Sequence, residues 1–341
     1  MRVAYLAVFL TLWAAVVPAL EVEDHRRYEG TGERMLRIVS TADLEVFDPF
    51  LKAFHADNPQ ITLDYAVASS AELHSAIRNG AIFDIAISSA TDLQFQLVND
   101  GLARPHRSPA VEALPDWARW RDRIFAFTTE PAVVIVSAQR FTGLPLPETR
   151  QDLITVLRDH PDRFEGAVGT YDVRESGLGY LFATQEARAT DAYWRLSEVM
   201  GRMRPRLYCC SGQMIDDVAA GRLALAYNVL GSYAAERLAR DSGGSVRILR
   251  MTDFANAILR TAIVPETAQE PQAAGRFVDA LVTTGLRETP GDWPLPPLRE
   301  TSAGTHGAFG AVRLGPALMV YLDPLNRRAF LEEWTSAIDQ R

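Results

Sequence analysis

The sequence contains few of the residues from which metal and redox sites are built. Among its 341 residues there are only two cysteines, the adjacent Cys209 and Cys210, and six histidines. The histidines are scattered along the chain, and neither a C-x-x-C nor an H-E-x-x-H spacing occurs. We therefore expect no metal site and no cofactor. The cysteine pair is compatible with a vicinal disulfide in an oxidising compartment or with two free thiols.

Catalytic motifs are also missing. The chain has no G-x-S-x-G nucleophile elbow and no clear pairing of a nucleophile with a base. This absence favours a binding protein over an enzyme, and a periplasmic hydrolase is the enzymatic alternative. Turnover of a substrate panel would separate the two.

Positive charge is in deficit. The chain has 35 Lys and Arg against 43 Asp and Glu, which gives a formal net charge of -8, and Lys52 is its single lysine. An acidic chain of this kind is a poor partner for nucleic acid and for anionic membranes, so we expect neither.

Only one long apolar run is present, from Val3 to Val17, and Pro18-Ala19-Leu20 follows it. With Arg2 in front and charged residues behind, this pattern is typical of a signal peptide covering residues 1–20. The run is short for a membrane span. We therefore expect a periplasmic protein whose net charge moves from -8 to -9 when Arg2 is removed.

Beyond residue 33, strand patterns alternate with helix patterns, which is typical of an α/β protein with a mainly parallel sheet. Two β-rich runs surround Glu130-Pro131, and a further run, residues 257–264, ends at Pro265. These runs flank a self-contained α/β segment. The sequence therefore predicts one lobe from residues 33–129 and 265–341, and a second lobe from residues 130–264 that includes the crossing segments.

Small polar residues recur where a predicted strand gives way to a predicted helix. A helix start offers free N–H groups and the positive end of the dipole, and open α/β sheets bind ligands at the carboxyl ends of their strands. The alternative interpretation is purely structural: a serine before a helix is a simple helix cap, which fits Ser69 best. Arg174 beside Glu175 is likewise typical of a solvated ion pair. The predicted ligand-binding residues are Ser40, Thr41, Ser69, Ser88, Ser89, Tyr171, Arg174, Ser176, Gly177, Ser211, Tyr227, Asn228 and Ser232.

Three segments carry a resemblance to a known family: Ile38 to Ala42, Phe83 to Ser89, and Val218 to Asn228. In order and spacing they resemble the type II periplasmic solute-binding proteins of ABC transporters, in the branch with ferric-iron and phosphosugar binders. The resemblance implies a two-lobed fold of the type II periplasmic-binding-protein class, with two crossing segments and a ligand cleft between the lobes. It also implies hinge closure around the solute and delivery to an ABC permease.

The chain departs from the ferric-iron binders, which typically carry a tandem tyrosine pair. The candidate positions read Tyr227-Asn228 or Ser232-Tyr233, so ferric iron is disfavoured. Hydroxyl, amide and backbone N–H groups suit a phosphorylated or carboxylated anion, with Arg174 as its positive partner. We expect a monomer that serves an ABC permease; the alternatives are a ligand-sensing subunit for a membrane histidine kinase, or a ferric-iron binder.

Overall fold

The structure is a computed structural model that describes residues 20–240, 243–287, 293–299 and 308–340. The predicted signal peptide lies outside the described residues except for Leu20, so it stays a prediction. Within the described ranges, no helix is both long enough and apolar enough to cross a membrane.

Helices and strands alternate along most of the described chain. The helices are α1 (Leu44–Asp57), α2 (Ser70–Arg78), α3 (Thr91–Asn99), α4 (Pro109–Glu112), α5 (Arg150–Asp159), α6 (Pro161–Phe164), α7 (Gly177–Ala189), α8 (Ala192–Arg202), α9 (Ser211–Ala219), α10 (Gly231–Arg240), α11 (Pro271–Gly285) and α12 (Pro324–Ile338). The strands are β1 (Asp24–Tyr28), β2 (Arg34–Ser40), β3 (Ile61–Val67), β4 (Ile85–Ser88), β5 (Ala103–Arg104), β6 (Arg119–Trp120), β7 (Ile124–Ser137), β8 (Val168–Tyr171), β9 (Arg206–Tyr208), β10 (Leu225–Leu230), β11 (Val246–Leu249), β12 (Phe254–Pro265) and β13 (Ala308–Ala311).

Two groups of parallel strands are linked by two long strands. In the first group β2 pairs in parallel with β3 and β4, and in the second β8 pairs in parallel with β9 and β10. The strand order is β1-β3-β2-β4-β12-β7-β10-β8-β9. The carboxyl ends of both parallel groups therefore carry the turns that lead into helices, and this arrangement positions the site.

Strands β7 and β12 are the crossing segments. The first half of β7 pairs antiparallel with β12, and its second half pairs with β10 and β11. The sequence predicts two runs interrupted at Glu130-Pro131, whereas the structure has one strand of 14 residues. Proline cannot donate a ladder hydrogen bond, and Pro131 stands where β7 changes partners from β12 to β10.

The buried apolar residues form two clusters. One cluster lies around β2, β3, β4 and α1, and the other lies around α5, α8 and β8. The C-terminal helix α12 packs on α8 and contributes Phe330, Trp334 and Ile338 to the second cluster. The sequence predicts that residues 265–341 belong to the first lobe, whereas α12 packs on α8 in the second cluster. The other lobe boundaries stay a prediction.

Two local features bear on the site. The segment before β2 contains the charged strand β1, which pairs antiparallel with β3. The helix after β4, α3, begins at Thr91, and its cap position, Ala90, makes no side-chain hydrogen bond. Ser89 is therefore left to make other contacts.

Candidate functional site

The turns after β2 and β4 lie side by side. Ser40 and Ser88 are buried, and each side chain accepts a hydrogen bond from the backbone two residues later, at 3.0 Å from Ala42 and 3.1 Å from Ala90. Their hydroxyls therefore shape the turns. The next residues, Thr41 and Ser89, have side-chain oxygens 3.3 Å apart.

The second lobe presents a matching set of helix starts. Ser176 caps α7 by accepting a hydrogen bond of 3.1 Å from the backbone of Gly179. Ser211 begins α9, and its hydroxyl accepts a hydrogen bond of 3.0 Å from the Leu230 N–H and contacts the Tyr171 hydroxyl. These groups stand at the carboxyl ends of β8, β9 and β10, as the sequence predicts for a cleft.

Two hydrogen bonds join the lobes across this region. The Gly177 N–H donates to the Ser70 hydroxyl at 3.0 Å, and the Asp43 N–H donates to the Tyr233 hydroxyl at 3.0 Å. Each bond links a helix start of one lobe to a residue of the other. The structure therefore has its lobes closed.

A small cavity lies between these helix starts, and we refer to it as the inner cavity. Its volume is about 60 Å³, which corresponds to roughly two water molecules. Six of the predicted residues line it: Thr41, Ser69, Ser89, Tyr171, Ser176 and Ser211. Ser69 has two roles, because it caps α2 and also lines the cavity.

The inner cavity continues into a larger outer pocket of about 530 Å³. The two spaces share Glu23, Asp43, Cys210 and Tyr233. A solute larger than two water molecules therefore has room to extend outward from the inner cavity without crossing the protein core.

The remaining predicted residues lie elsewhere. Tyr227 and Asn228 both donate to the carboxylate of Glu186, inside the second lobe. Ser232 donates to Glu130. Arg174 pairs with its near neighbour Asp172 and, with Gly177, lines an adjoining pocket of about 200 Å³, which shares Glu175 and Ser176 with the inner cavity.

Two residues that line the inner cavity, Asp43 and Tyr233, are absent from the predicted ligand-binding set, and so is the buried pair of Glu130 and Arg260. Arg260 lies on β12 and makes an ion pair with Glu130 of β7, with an Nε–Oε1 distance of 2.7 Å. Both side chains are fully buried. A signal was available, because Arg260 interrupts an otherwise apolar run and Glu130 lies between two β-rich runs.

Burial dominates the electrostatics of the cavity wall. It raises the pKa of Asp43 to about 6, while the positive charge of Arg260 opposes the rise. Burial likewise raises the pKa of the Tyr171 and Tyr233 hydroxyls, and Arg260 again acts in the opposite direction. Both phenols are therefore neutral at physiological pH.

Cys209 and Cys210 form a disulfide, and both line the inner cavity. The bond joins neighbours immediately before α9 and so restricts the backbone that leads to Ser211. Within the described part of the chain, no group of three or more His, Cys, Asp or Glu side chains is arranged to hold a metal ion.

The closed lobes suggest a test of the interface at Gly177. A Cβ atom added there would lie 2.7 Å from both Ser70 Oγ and Leu93 Cδ1, which belong to the other lobe. We expect Gly177→Val to oppose closure and to weaken solute binding about tenfold, which corresponds to roughly 1.4 kcal/mol. Calorimetry with the ligand that the wild type binds best measures the loss, and Ala189→Val at the exposed end of α7 is the control. Equal affinity in both variants would contradict the closed geometry.

Comparison with known proteins agrees with this architecture. The profile of the family described as bacterial extracellular solute-binding protein matches residues 36–289. A search of curated protein sequences finds no match.

Solved structures give the same result. The substrate-binding protein of an ABC transporter from Agrobacterium tumefaciens is 29% identical, with a TM-score of 0.85 over 92% of this chain and 98% of that one. AfuA from Actinobacillus pleuropneumoniae, solved with fructose-6-phosphate, is 16% identical, with a TM-score of 0.70 over 91% and 100% of the chains. Iron-bound HitA from Pseudomonas aeruginosa is 15% identical, with a TM-score of 0.62 over 89% and 97%.

These matches confirm the two-lobed α/β fold and the family resemblance. The last two relatives support the fold alone, because their identity is low. The profile covers most of the chain, and the relatives are binding proteins, not enzymes. The chain belongs to the bacterial extracellular solute-binding proteins that serve ABC transporters.

Proposed function

We propose that this protein captures a small anionic solute, phosphorylated or carboxylated, in the inner cavity and presents it to an ABC permease from the periplasm. The observation that carries the proposal is the convergence of helix starts from both lobes on one cavity. The helices α2, α7 and α9 begin at its wall, with the hydroxyls of Ser69, Ser176 and Ser211 beside them. Helix N-termini supply N–H donors and partial positive charge, which favour an anion.

Hinge motion supplies access. The inner cavity is too small for a sugar phosphate while the lobes are closed, so the solute enters with the lobes apart. The bonds from Gly177 to Ser70 and from Asp43 to Tyr233 then re-form as the lobes close. A sensing role with a membrane histidine kinase would use the same cleft, and the partner that recognises the closed form decides between the two roles.

Ferric iron is the less favoured cargo. Iron binding by tyrosine requires the phenolate, and burial raises the pKa of both Tyr171 and Tyr233. Each hydroxyl is also engaged in a hydrogen bond, Tyr171 with Ser211 and Tyr233 with the Asp43 N–H.

A melting-temperature screen of the mature protein tests the proposal. The probes are inorganic phosphate, fructose 6-phosphate, citrate and succinate, with fructose, spermidine and ferric citrate as the neutral, cationic and iron arms. A probe at 100 times its Kd adds about 2.7 kcal/mol to the free energy of unfolding. We expect at least one anion to raise the melting temperature by several degrees.

The same screen can reject the proposal. Stabilisation by fructose or spermidine, with no response to any of the anions, would assign a neutral or cationic solute. A visible tyrosine-to-iron charge-transfer band that is lost in Tyr233→Phe would assign iron.

A further inference from the structure

The Cys209–Cys210 disulfide lies where the two cavities meet. Both cysteines line the inner cavity, and Cys210 also lines the outer pocket. Both residues are partly exposed, so a small molecule in the outer pocket can reach the bond. They are the only cysteines of the chain. A thiol reagent therefore acts on this one bond and on no other disulfide of the protein.

The disulfide restricts the start of α9. It joins adjacent residues, so the peptide bond between them is part of a closed ring. Cys210 occupies the cap position of α9, and its side chain makes no capping hydrogen bond. The ring limits the backbone torsions of both cysteines, because disulfide geometry is specific. The position of Ser211, the first residue of the helix, depends on those torsions.

Ser211 connects this ring to the end of β10. Its hydroxyl accepts a hydrogen bond of 3.0 Å from the buried Leu230 N–H. Leu230 is the last residue of β10, and α10 begins at the next residue, Gly231. In the first turn of α10, the Tyr233 hydroxyl accepts a hydrogen bond of 3.0 Å from the Asp43 N–H across the cleft. A short series of contacts therefore runs from the disulfide to a bond that holds the lobes closed.

We propose that this disulfide is a redox switch on closure of the cleft. The oxidised form holds Ser211 where it bonds Leu230, and so keeps Tyr233 within reach of the other lobe. Reduction gives two thiols that must separate to van der Waals distance, which opens the ring and lets the start of α9 move. The lobes then close less readily, and the solute binds less tightly. The switch acts on closure, so it goes beyond the proposed function and does not depend on the charge of the solute.

The reductant is a dithiol, which supplies two electrons. Its thiolate attacks one sulfur, the S–S bond breaks, and the other cysteine leaves as a thiolate that takes up a proton. The second thiol of the reductant then attacks the mixed disulfide, releases the first cysteine and leaves as a cyclic disulfide. The two protons of the dithiol end on the two cysteines. The Cys209 thiol then has an acceptor nearby, because its sulfur lies 4.0 Å from Oε1 of Gln213.

Amide hydrogen exchange of the unliganded protein tests the switch without a solute. The oxidised protein is compared with the protein reduced by dithiothreitol, and alkylation verifies complete reduction. The amides of Leu230 and Asp43 should exchange about tenfold faster after reduction, because their acceptors move away. The amide of Leu36, in the buried strand β2, should keep its rate. Unchanged exchange at Asp43 would overturn the proposal, even if Leu230 responds, because the disulfide would then be a local staple.

Solute affinity tests the consequence of the switch. The oxidised and reduced forms are titrated with fructose 6-phosphate, or with another iron-free probe of the screen if that probe stabilises the protein more. Reduction should raise the Kd about tenfold. Because coupling is reciprocal, a saturating concentration of the same probe should lower the midpoint potential of the disulfide by about 30 mV. Equal affinity in the two forms would overturn the switch.

A variant without the bond is the control. Cys209→Ser combined with Cys210→Ser retains two small polar side chains and cannot form the disulfide. Its exchange rates and probe affinity should match those of the reduced wild type and should not respond to dithiothreitol. A response of this variant would assign the effect to the reagent and overturn the switch. If the variant does not fold, reoxidation of the reduced wild type is the control, since it should restore both readouts.

Failure of the switch is distinguishable from failure of the proposed function. If an anion binds equally well to the oxidised and reduced forms, the switch is overturned and the anion-binding function stands. If no anion binds, the proposed function falls, and the exchange rates of Leu230 and Asp43 still decide the switch.

Discussion

Replacing Glu186 with alanine is expected to lower the free energy of unfolding by about 3–5 kcal/mol, because it leaves a buried arginine without its main partner. Glu186 lies on α7 and is fully buried. Its carboxylate accepts hydrogen bonds from Arg150 and Tyr227, and from Asn228 at 2.9 Å. One substitution therefore breaks three buried contacts and removes the counter-charge of Arg150.

Denaturant unfolding of the unliganded protein measures this effect. Glu198→Ala, on the adjacent helix α8, is the control, because Glu198 is exposed; its effect should stay within about 0.5 kcal/mol. The second contact of Arg150, with the partly exposed Asp253, limits the loss. A decrease of less than about 1 kcal/mol for Glu186→Ala would show that Asp253 alone suffices for Arg150.

The Glu186 network also explains why part of the predicted site was not brought together. In the sequence, Tyr227 and Asn228 resemble the end of a strand before a helix, as the cavity residues do, but in the structure both lie within β10. Asn228 adopts a left-handed backbone with φ of 62°, and its side chain turns into the second lobe. The partner that draws it there, Glu186, is 42 residues away in the chain. Such non-local pairing leaves no trace in local spacing.

Helix caps, which depend on neighbouring residues, were predicted more accurately than long-range contacts. The cap of α2 by Ser69 and the cap of α7 by Ser176 are visible in the sequence as a serine before a helical pattern, and the structure confirms both. Capping depends on groups within three residues, so it can be predicted from the sequence. The alternation of strands and helices, with short polar turns, likewise fixed the fold class.

The crossing strands show the limit of this approach. Glu130 and Arg260 are 130 residues apart, and each alone suggests only an interrupted strand. Their pairing becomes apparent once β7 and β12 lie side by side. The buried ion pair between the two crossing strands therefore cannot be predicted from local patterns.

Replacing Asp43 with asparagine is expected to stabilise the unliganded protein above about pH 6, where the buried carboxylate is charged. Burial raises the pKa of Asp43 to about 6; Arg260 lowers it, and Glu23, Glu45 and Glu236 raise it. The folded state therefore favours the protonated, neutral form of Asp43.

The sign of the pH dependence follows from this raised pKa. Because the pKa of Asp43 in the folded state lies above its ordinary value of about 3.9, the folded state binds the proton more tightly than the unfolded state. The contribution of Asp43 to stability is therefore most favourable below pH 4 and is lost as the pH rises through about 6. Asp43→Asn should raise the melting temperature of the unliganded protein at pH 7.5 and leave it nearly unchanged at pH 4.

Thermal unfolding of the unliganded wild type and of Asp43→Asn from pH 4 to pH 8 measures this effect. We expect the difference in melting temperature to be near zero at pH 4 and to grow as the pH rises through about 6. A difference that stays constant over this range would contradict the raised pKa of Asp43, because an Asp of ordinary pKa is already ionised throughout most of it.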